Sequence, residues 1–288
     1  MTRVLVTGGS GKLGRAVLRD LVAHGYDVLN IDQQALPEPI CPSVRIDLTD
    51  FGEVAAAILG GVDERRGPFD AVVHLAAIPT PRGRFDEPTF RNNVMSTYNV
   101  LCLAAELGMQ RIVWASSETV LGLPFDAVRP PSAPLDEAWP QHPETGYALA
   151  KAASELIAAQ VARWSGIPTV GLRFSNIMEP ERYAQFPTFW EDPHARKWNL
   201  WGYVDARDAA QACRLGLEAE IAGAEVFIIA AADTVMNRPN AELMAEVFPD
   251  VPLKEGTGEF ETLLSIDKAR RLLGYNPQWS WRDHIADR

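Results

Sequence analysis

Cysteine is scarce and scattered. Cys41, Cys102 and Cys213 stand far apart. No pair has metal-ligand or redox spacing, no metal site is indicated, and an odd number suits a reducing compartment better than a disulfide framework. No apolar run approaches the roughly 18 residues that a membrane-spanning helix needs. A basic excess is also missing. The net charge of −11 argues against a surface built for nucleic acid or an anionic membrane. There is no internal repeat and no low-complexity tract. The opening residues, Met1-Thr2-Arg3-Val4-Leu5-Val6, run straight into a glycine loop, so the start of the chain is expected in the fold and not in a signal peptide. What remains is a cytoplasmic protein of 288 residues, 47% hydrophobic, with enough apolar material for a full core and an appended lobe.

Short apolar runs alternate with amphipathic stretches. Val4 to Thr7, Tyr26 to Ile31, Ala71 to Leu75, Arg111 to Ala115 and Thr169 to Arg173 read as buried strands. Gly11 to His24, Phe51 to Leu59, Phe90 to Leu107 and Tyr147 to Trp164 read as helices. On the first helix Leu13, Val17, Leu18, Leu21 and Val22 share one face. This rhythm predicts an α/β fold: parallel βαβ units forming a doubly wound, Rossmann-type sheet. After about Asn176 the rhythm breaks into an irregular stretch, residues 180–200, rich in proline and aromatics. Val226 to Ala230 looks like one further strand. The expected organisation is a nucleotide-binding domain over residues 1–175. A small substrate lobe over 176–288 follows, with some segments returning to the first domain.

The turn after the first strand reads Thr7-Gly8-Gly9-Ser10-Gly11-Lys12-Leu13-Gly14. Gly8 permits a tight turn. Gly11 lets the backbone approach a pyrophosphate resting on the helix N-terminus, and Gly14 allows close packing. A glycine triplet alone is weak; in a first βα turn it has the required context. Asp32 ends the second strand, where a carboxylate can accept from both ribose hydroxyls and repel a 2′-phosphate. Its neighbours Gln33 and Gln34 supply no arginine, which favours NAD over NADP. Asp47 could accept from the adenine amino group with Leu48 packed on the ring, while Thr49 or Asp50 caps the next helix.

Tyr147 and Lys151 are four apart, on one helix face. An ammonium beside a phenol favours the phenolate and lowers a pKa that starts near ~10, so Tyr147 is a candidate general acid/base. Ser117, after an apolar strand, could hold the reacting oxygen against it. With these residues assembled, the chain resembles the extended short-chain dehydrogenase/reductases, the NAD-dependent epimerase/dehydratase family. The resemblance runs through the glycine loop, His74-Leu75-Ala76-Ala77, Asn93-Val94-Met95-Ser96-Thr97, the Ser117, Tyr147 and Lys151 constellation, and Leu172-Arg173-Phe174-Ser175-Asn176. It continues in the tail from Ser265 to Pro277. It implies that Ser10 to Leu13, Leu75 to Ala77, Asn93 and Phe174 contact the cofactor. It further implies that Lys151 holds the nicotinamide ribose and that Glu118, Thr119 and Asn176 face the substrate. It also implies a homodimer built on helices 90–107 and 147–164, with Ala152, Ala153, Ile157 and Val161 among the apolar or small residues there.

The departures are informative. The family's sugar-nucleotide dehydratases carry Asp-Glu after the catalytic hydroxyl; here the pair is Glu118-Thr119, and a threonine cannot be the eliminating base. The span from Asn176 to Asp205 is short for holding a nucleotide. In this it looks more like the uronate dehydrogenases, whose Asn-His pair is also replaced. The expected activity is hydride transfer between NAD and a sugar or sugar-derived hydroxyl. A 4-epimerase with tightly held NAD is the alternative. A non-catalytic NAD sensor is a third reading, against which the intact Ser, Tyr and Lys weigh. Several residues stay open: His74 as a satisfied strand-end histidine or a catalytic group; Trp198 and Trp201 as a sugar-stacking wall or lobe core; Arg182 and Arg196 as carboxylate binders or solvated arginines. Residues 122–144, with six prolines, form a lid or a rigid loop. Asp208 reads as a helix N-cap.

Overall fold

Val, Leu and Ile crowd into short runs because the strands they form are covered on both faces. The computed structural model describes residues 2–59, 68–79 and 86–285. In chain order the elements are β1 (Arg3–Thr7), α1 (Lys12–Ala23), β2 (Asp27–Asp32), β3 (Ser43–Arg45), α2 (Phe51–Ile58), β4 (Ala71–His74), α3 (Glu87–Glu106) and β5 (Arg111–Ser117). They continue as α4 (Gly146–Ser165), β6 (Thr169–Phe174), β7 (Ile177–Met178), β8 (Val204–Asp205), α5 (Ala206–Glu218), β9 (Ala224–Ile229), α6 (Asn240–Val247) and α7 (Asp267–Leu273).

Seven strands form one parallel sheet in the order β3-β2-β1-β4-β5-β6-β9. The order reverses between β1 and β4, which opens a crevice at the carboxyl ends of the strands. Alternation along each strand feeds two cores. Val4 and Val6 of β1 pack with Val17 and Leu21 of α1 and Ala209 and Cys213 of α5, while Leu5 faces Leu101, Ala104 and Val161 of α3 and α4. The apolar cluster on the α1 side continues without a break into residues 177–285, and β9 returns to the main sheet beside β6.

One local finding differs from expectation, and a second bears on an alternative left open. The helix start near Asp208 is capped three residues earlier, by Asp205, whose carboxylate accepts from the Arg207 N–H. Asp208 instead accepts from the N–H groups of Gln278 and Trp279 at 2.8 and 3.0 Å, tying down the C-terminal tail. The proline-rich segment 122–144 is a pinned loop. Ala133 and Leu135 exchange backbone hydrogen bonds with residues 252–254 and 263–265, and Leu123, Phe125, Ala133 and Leu135 are buried. Among the described residues, no helix is long and apolar enough to cross a membrane.

Candidate active site

Every strand end along the crevice delivers a polar side chain or a turn. Gly8 takes φ +75°, and a Cβ there would lie 2.6 Å from the Ala76 nitrogen; a Cβ on Gly14 would lie 2.1 Å from the Gly8 carbonyl oxygen. Both positions therefore exclude any other residue. Helix α1 begins at Gly11 with no side-chain cap and no acidic residue in its first turn, so its N-terminal N–H groups and dipole are available to an anion. Lys12 donates to the Ile177 carbonyl at 3.1 Å. The loop, Asp32, Leu48, Leu75 to Ala77 and Phe174 line a cavity of about 720 Å³ that ends at Ser117, Glu118, Thr119, Tyr147, Lys151 and Asn176.

Asp32 lies at the end of β2. Its two oxygens accept from the N–H groups of Ser10 and Gln34, each at 2.9 Å, which fixes the carboxylate at the cavity edge. The sheet register brings Arg45 of β3 opposite Asp32, with its Nε on the Gln33 carbonyl at 3.2 Å. That arginine was not visible from the sequence, because β3 was not.

Two expected cofactor residues stand outside the lining. Asp47 is exposed; it accepts from the Thr49 N–H, the Thr49 hydroxyl and Gln33, and these bonds hold it below the usual carboxylate range. Asp50 caps α2. Asn93 is buried and clamps the backbone of Ile78, accepting from its N–H at 2.8 Å and donating to its carbonyl at 3.0 Å. Asn92 and Ser96, one helical turn apart on α3, reach the cavity instead.

His74 is a satisfied structural histidine. The Thr7 hydroxyl accepts from the N–H groups of Leu75 and Ala76 at 3.2 Å, so its proton goes to His74 Nδ1 at 2.7 Å and Nε2–H faces Thr97 Oγ1 at 3.2 Å. Burial, with the nearby Lys151 charge, pushes the imidazole down to about 3. It is neutral and holds the cavity-lining 75–77 segment in place.

Ser117 is the last residue of β5, two residues beyond the expected strand end. Its Oγ accepts from the Thr119 N–H and hydroxyl at 3.2 and 3.0 Å, leaving its own proton free to turn toward the Tyr147 phenol, whose pKa it lowers. Thr145 caps α4 by accepting from the Ala148 N–H, which sets Tyr147 and Lys151 in the first two turns. Lys151 is buried and donates to the Ala115 carbonyl at 2.6 Å, with Nζ 5.9 Å from the Tyr147 ring centre. The expected depression of the phenol is not realised in the protein alone. Burial pushes Tyr147 up to about 12, with Glu118 adding to the rise and Ser117 opposing it. Burial also brings Lys151 down to about 8 against the pull of Glu155. The ammonium serves Ala115 and not the phenol.

Behind Ser117, Tyr147 and Lys151 lie two buried networks that sequence reasoning missed. Glu155, two turns beyond Tyr147, accepts from Ser116 at 2.6 Å, from Arg173 at 2.9 and 2.8 Å, and from Gln141. It thereby joins β5, β6, α4 and the 122–144 loop. The second network surrounds Glu118, which accepts from Asn199 Nδ2 at 3.0 Å. Arg196 is no solvated arginine. It is buried, bonded to the Gly202 carbonyl and, with the Asn176 amide turned to present its oxygen, to that side chain, and stacked near Phe189 and Trp198. Arg182 is exposed. Of the paired tryptophans, Trp198 lines the cavity, whereas Trp201 is fully buried and donates to the Pro193 carbonyl.

Residues 4–230 match the NAD dependent epimerase/dehydratase family. A UDP-glucose 4-epimerase of Corynebacterium glutamicum is 24% identical over 99% of this chain and 97% of that protein. An NAD-dependent glucose-6-phosphate dehydrogenase of Haloferax volcanii is 25% identical over 96% and 92%. The crystal structure of a UDP-galactose 4-epimerase aligns at TM-score 0.70 and 27% identity, over 97% of this chain and 94% of that one. With a doubly wound sheet, an uncapped glycine-loop helix and a serine, tyrosine and lysine gathered at one end of the crevice, the chain belongs to the NAD-dependent epimerase/dehydratase family and is an NAD-dependent enzyme.

Proposed function

We propose that this enzyme is a dehydrogenase acting on a hydroxyl of a free sugar or sugar derivative. One observation carries the reading: Ser117, Tyr147 and Lys151 converge on the same cavity that begins at the uncapped N-terminus of α1. The residues present fit NAD. The first turn of α1 would take the pyrophosphate, Asp32 the adenosine ribose, Leu48 the adenine, and Lys151 the nicotinamide ribose. When bound, NAD supplies the hydride acceptor and a cationic ring. Ser117 and Tyr147 orient the substrate oxygen between them. Tyr147 takes the hydroxyl proton on oxidation, or returns it on reduction. For uptake its pKa must fall from about 12, which requires the Lys151 ammonium to turn from Ala115 toward the phenol. His74 takes no part in proton transfer, and Thr119 keeps Ser117 in its rotamer.

The test is a substrate screen at the NADH absorbance over neutral sugars, uronates, lactones and sugar nucleotides. Stoichiometric NADH supports the dehydrogenase. Isomerised sugar without net NADH supports the second reading, a 4-epimerase that retains its NAD, which the overall similarity to the galactose epimerase structure favours. We also propose a cytoplasmic homodimer. Leu149, Leu156 and Trp164 are exposed on α4, and Met95 and Tyr98 on α3, the helix packed against it. These, and not the fully buried Val161, would meet a second copy. A monomer mass by light scattering at micromolar concentration refutes the dimer.

A further inference from the structure

Buried polar groups almost always find partners, and a cluster that does not asks for an explanation. At the substrate end of the cavity four side-chain atoms make no hydrogen bond of normal geometry: Glu118 Oε2, Ser175 Oγ, Asn199 Oδ1 and Arg196 Nε, with Ser175 and Arg196 acting on Glu118 only at longer range. All four residues are more than nine-tenths buried. Glu118 and Ser175 line the cavity beside Ser117 and Trp198; Asn199 and Arg196 stand behind them, held by the Gly202 carbonyl. The set mixes acceptors with donors. Such a set suits groups that donate and accept at once, as hydroxyls do.

Its cations are already engaged, the Lys151 ammonium by the Ala115 carbonyl. Among the described residues, the buried guanidinium behind this end belongs to Arg196. Its terminal nitrogens are engaged by the Gly202 carbonyl and the Asn176 side chain, and Glu118 pairs with it electrostatically. An anionic substrate would find its cation matched and a carboxylate at the wall. A hydroxyl would instead give Glu118 the partner it lacks, while Trp198 offers an apolar face to sugar C–H groups.

We propose that Glu118, backed by Asn199 and Arg196, is a specificity-determining residue that accepts from a substrate hydroxyl and selects neutral polyhydroxylated sugars over sugar acids. This rests on the dehydrogenase reading for the identity of the cavity as a sugar site. Burial pushes the Glu118 carboxyl up to about 7, opposed by Ser175, Asn199, Arg196 and the Asn176 backbone, so a test at pH 8 finds it largely charged.

The experiment pairs neutral aldoses (glucose, galactose, arabinose) with hexuronates (glucuronate, galacturonate). Binding is measured by calorimetry to NAD-loaded Tyr147→Phe, with and without Glu118→Gln. NADH production is followed in parallel with the wild-type tyrosine. We expect at least one aldose to bind tenfold or more tightly than any hexuronate. Glu118→Gln should close that gap to within about threefold, chiefly by gain of hexuronate binding, with NAD affinity unchanged. Hexuronate binding as tight as aldose binding with Glu118 in place overturns the proposal. So does a gap that Glu118→Gln leaves intact, or binding of neither class. If Glu118→Gln fails to fold, the comparison with Glu118 present still decides. Aldose-selective binding without NADH from any sugar would sink the dehydrogenase reading and leave the subsite standing. NADH formation with no charge preference would do the reverse.

Discussion

His74 offers a quantitative test of how the crevice is built. It is 2% exposed and its two ring nitrogens face Thr7 and Thr97, and burial brings it from 6.5 down to about 3. Above pH 6.5 the imidazole is neutral in both folded and unfolded chains and contributes no pH dependence. Between 6.5 and about 3 the unfolded chain takes up a proton that the folded chain refuses, so stability falls as pH falls. At pH 4.5 the gap of about two pH units below 6.5 corresponds to roughly 2.7 kcal/mol, at about 1.36 kcal/mol per unit. Glu118 and Asp208 act with the opposite sign, since burial raises both carboxyls and the folded chain binds their protons first. Only the difference between wild type and a His74 variant isolates the effect. Urea denaturation at pH 7.5 and 4.5 for wild type and His74→Gln provides it, because glutamine can still bond both threonines without titrating. The variant should lose about 2–3 kcal/mol less than wild type over this interval. Equal losses would refute the assignment of His74 as a neutral structural group, and a loss of turnover with stability unchanged would return it to the chemistry.

Other changes probe the site directly. Tyr147→Phe should lower turnover by ~10²–10⁴-fold with little change in NAD affinity by calorimetry. Ser117→Ala should behave similarly, while Lys151→Ala should lose turnover and NAD affinity together; near-wild-type turnover in Tyr147→Phe removes the central assignment. Asp32→Ala should narrow the preference for NAD over NADP, and adding Arg45→Ala should weaken the NADP binding so gained; tighter NADP than NAD binding in wild type contradicts the role of Asp32. Glu155→Gln leaves Arg173 buried without its counter-charge and should cost about 3–5 kcal/mol in urea denaturation. The same variant should shift the Lys151 ionisation to lower pH, read from the pH dependence of NAD affinity.

The sequence announced the crevice because its signals are local. Parallel strands buried on both faces are runs such as Val4-Leu5-Val6 and Ala71-Val72-Val73, and α1 and α4 carry long periodic faces with Gly25 and Gly166 beyond their ends. Strand β3 gave no such signal. It has three residues, sits at the sheet edge and buries none of them fully, and with it Arg45 stayed hidden. The neighbours Asn92 and Asn93 differ by one helical step, which decides which side chain faces the cavity and which clamps Ile78; composition cannot resolve that. Arg196 looked solvated because its burial comes entirely from tertiary partners: Phe189, Trp198, Asn176 and Gly202.

Tyr147 and Lys151 show why spacing alone misjudged the electrostatics. Four residues of separation put both groups on one helix face, but the state of each depends on what surrounds it. The walls of the crevice push His74 down to about 3, Lys151 to about 8, Tyr147 up to about 12 and Glu118 to about 7. Desolvation leads in every case, and each group moves toward its neutral form. Lys151 is lowered less than burial alone would lower it, because Glu155 opposes its desolvation. Glu155 is itself held in place by two bonds from Arg173 and one from Ser116. The positive charge that the proposed mechanism needs beside the phenol would thus be sustained from behind by Glu155. A tyrosine and a lysine at this spacing on a surface helix would lack that support, and the buried acid behind Lys151 is what would separate the proposed acid/base pair from a coincidence of spacing.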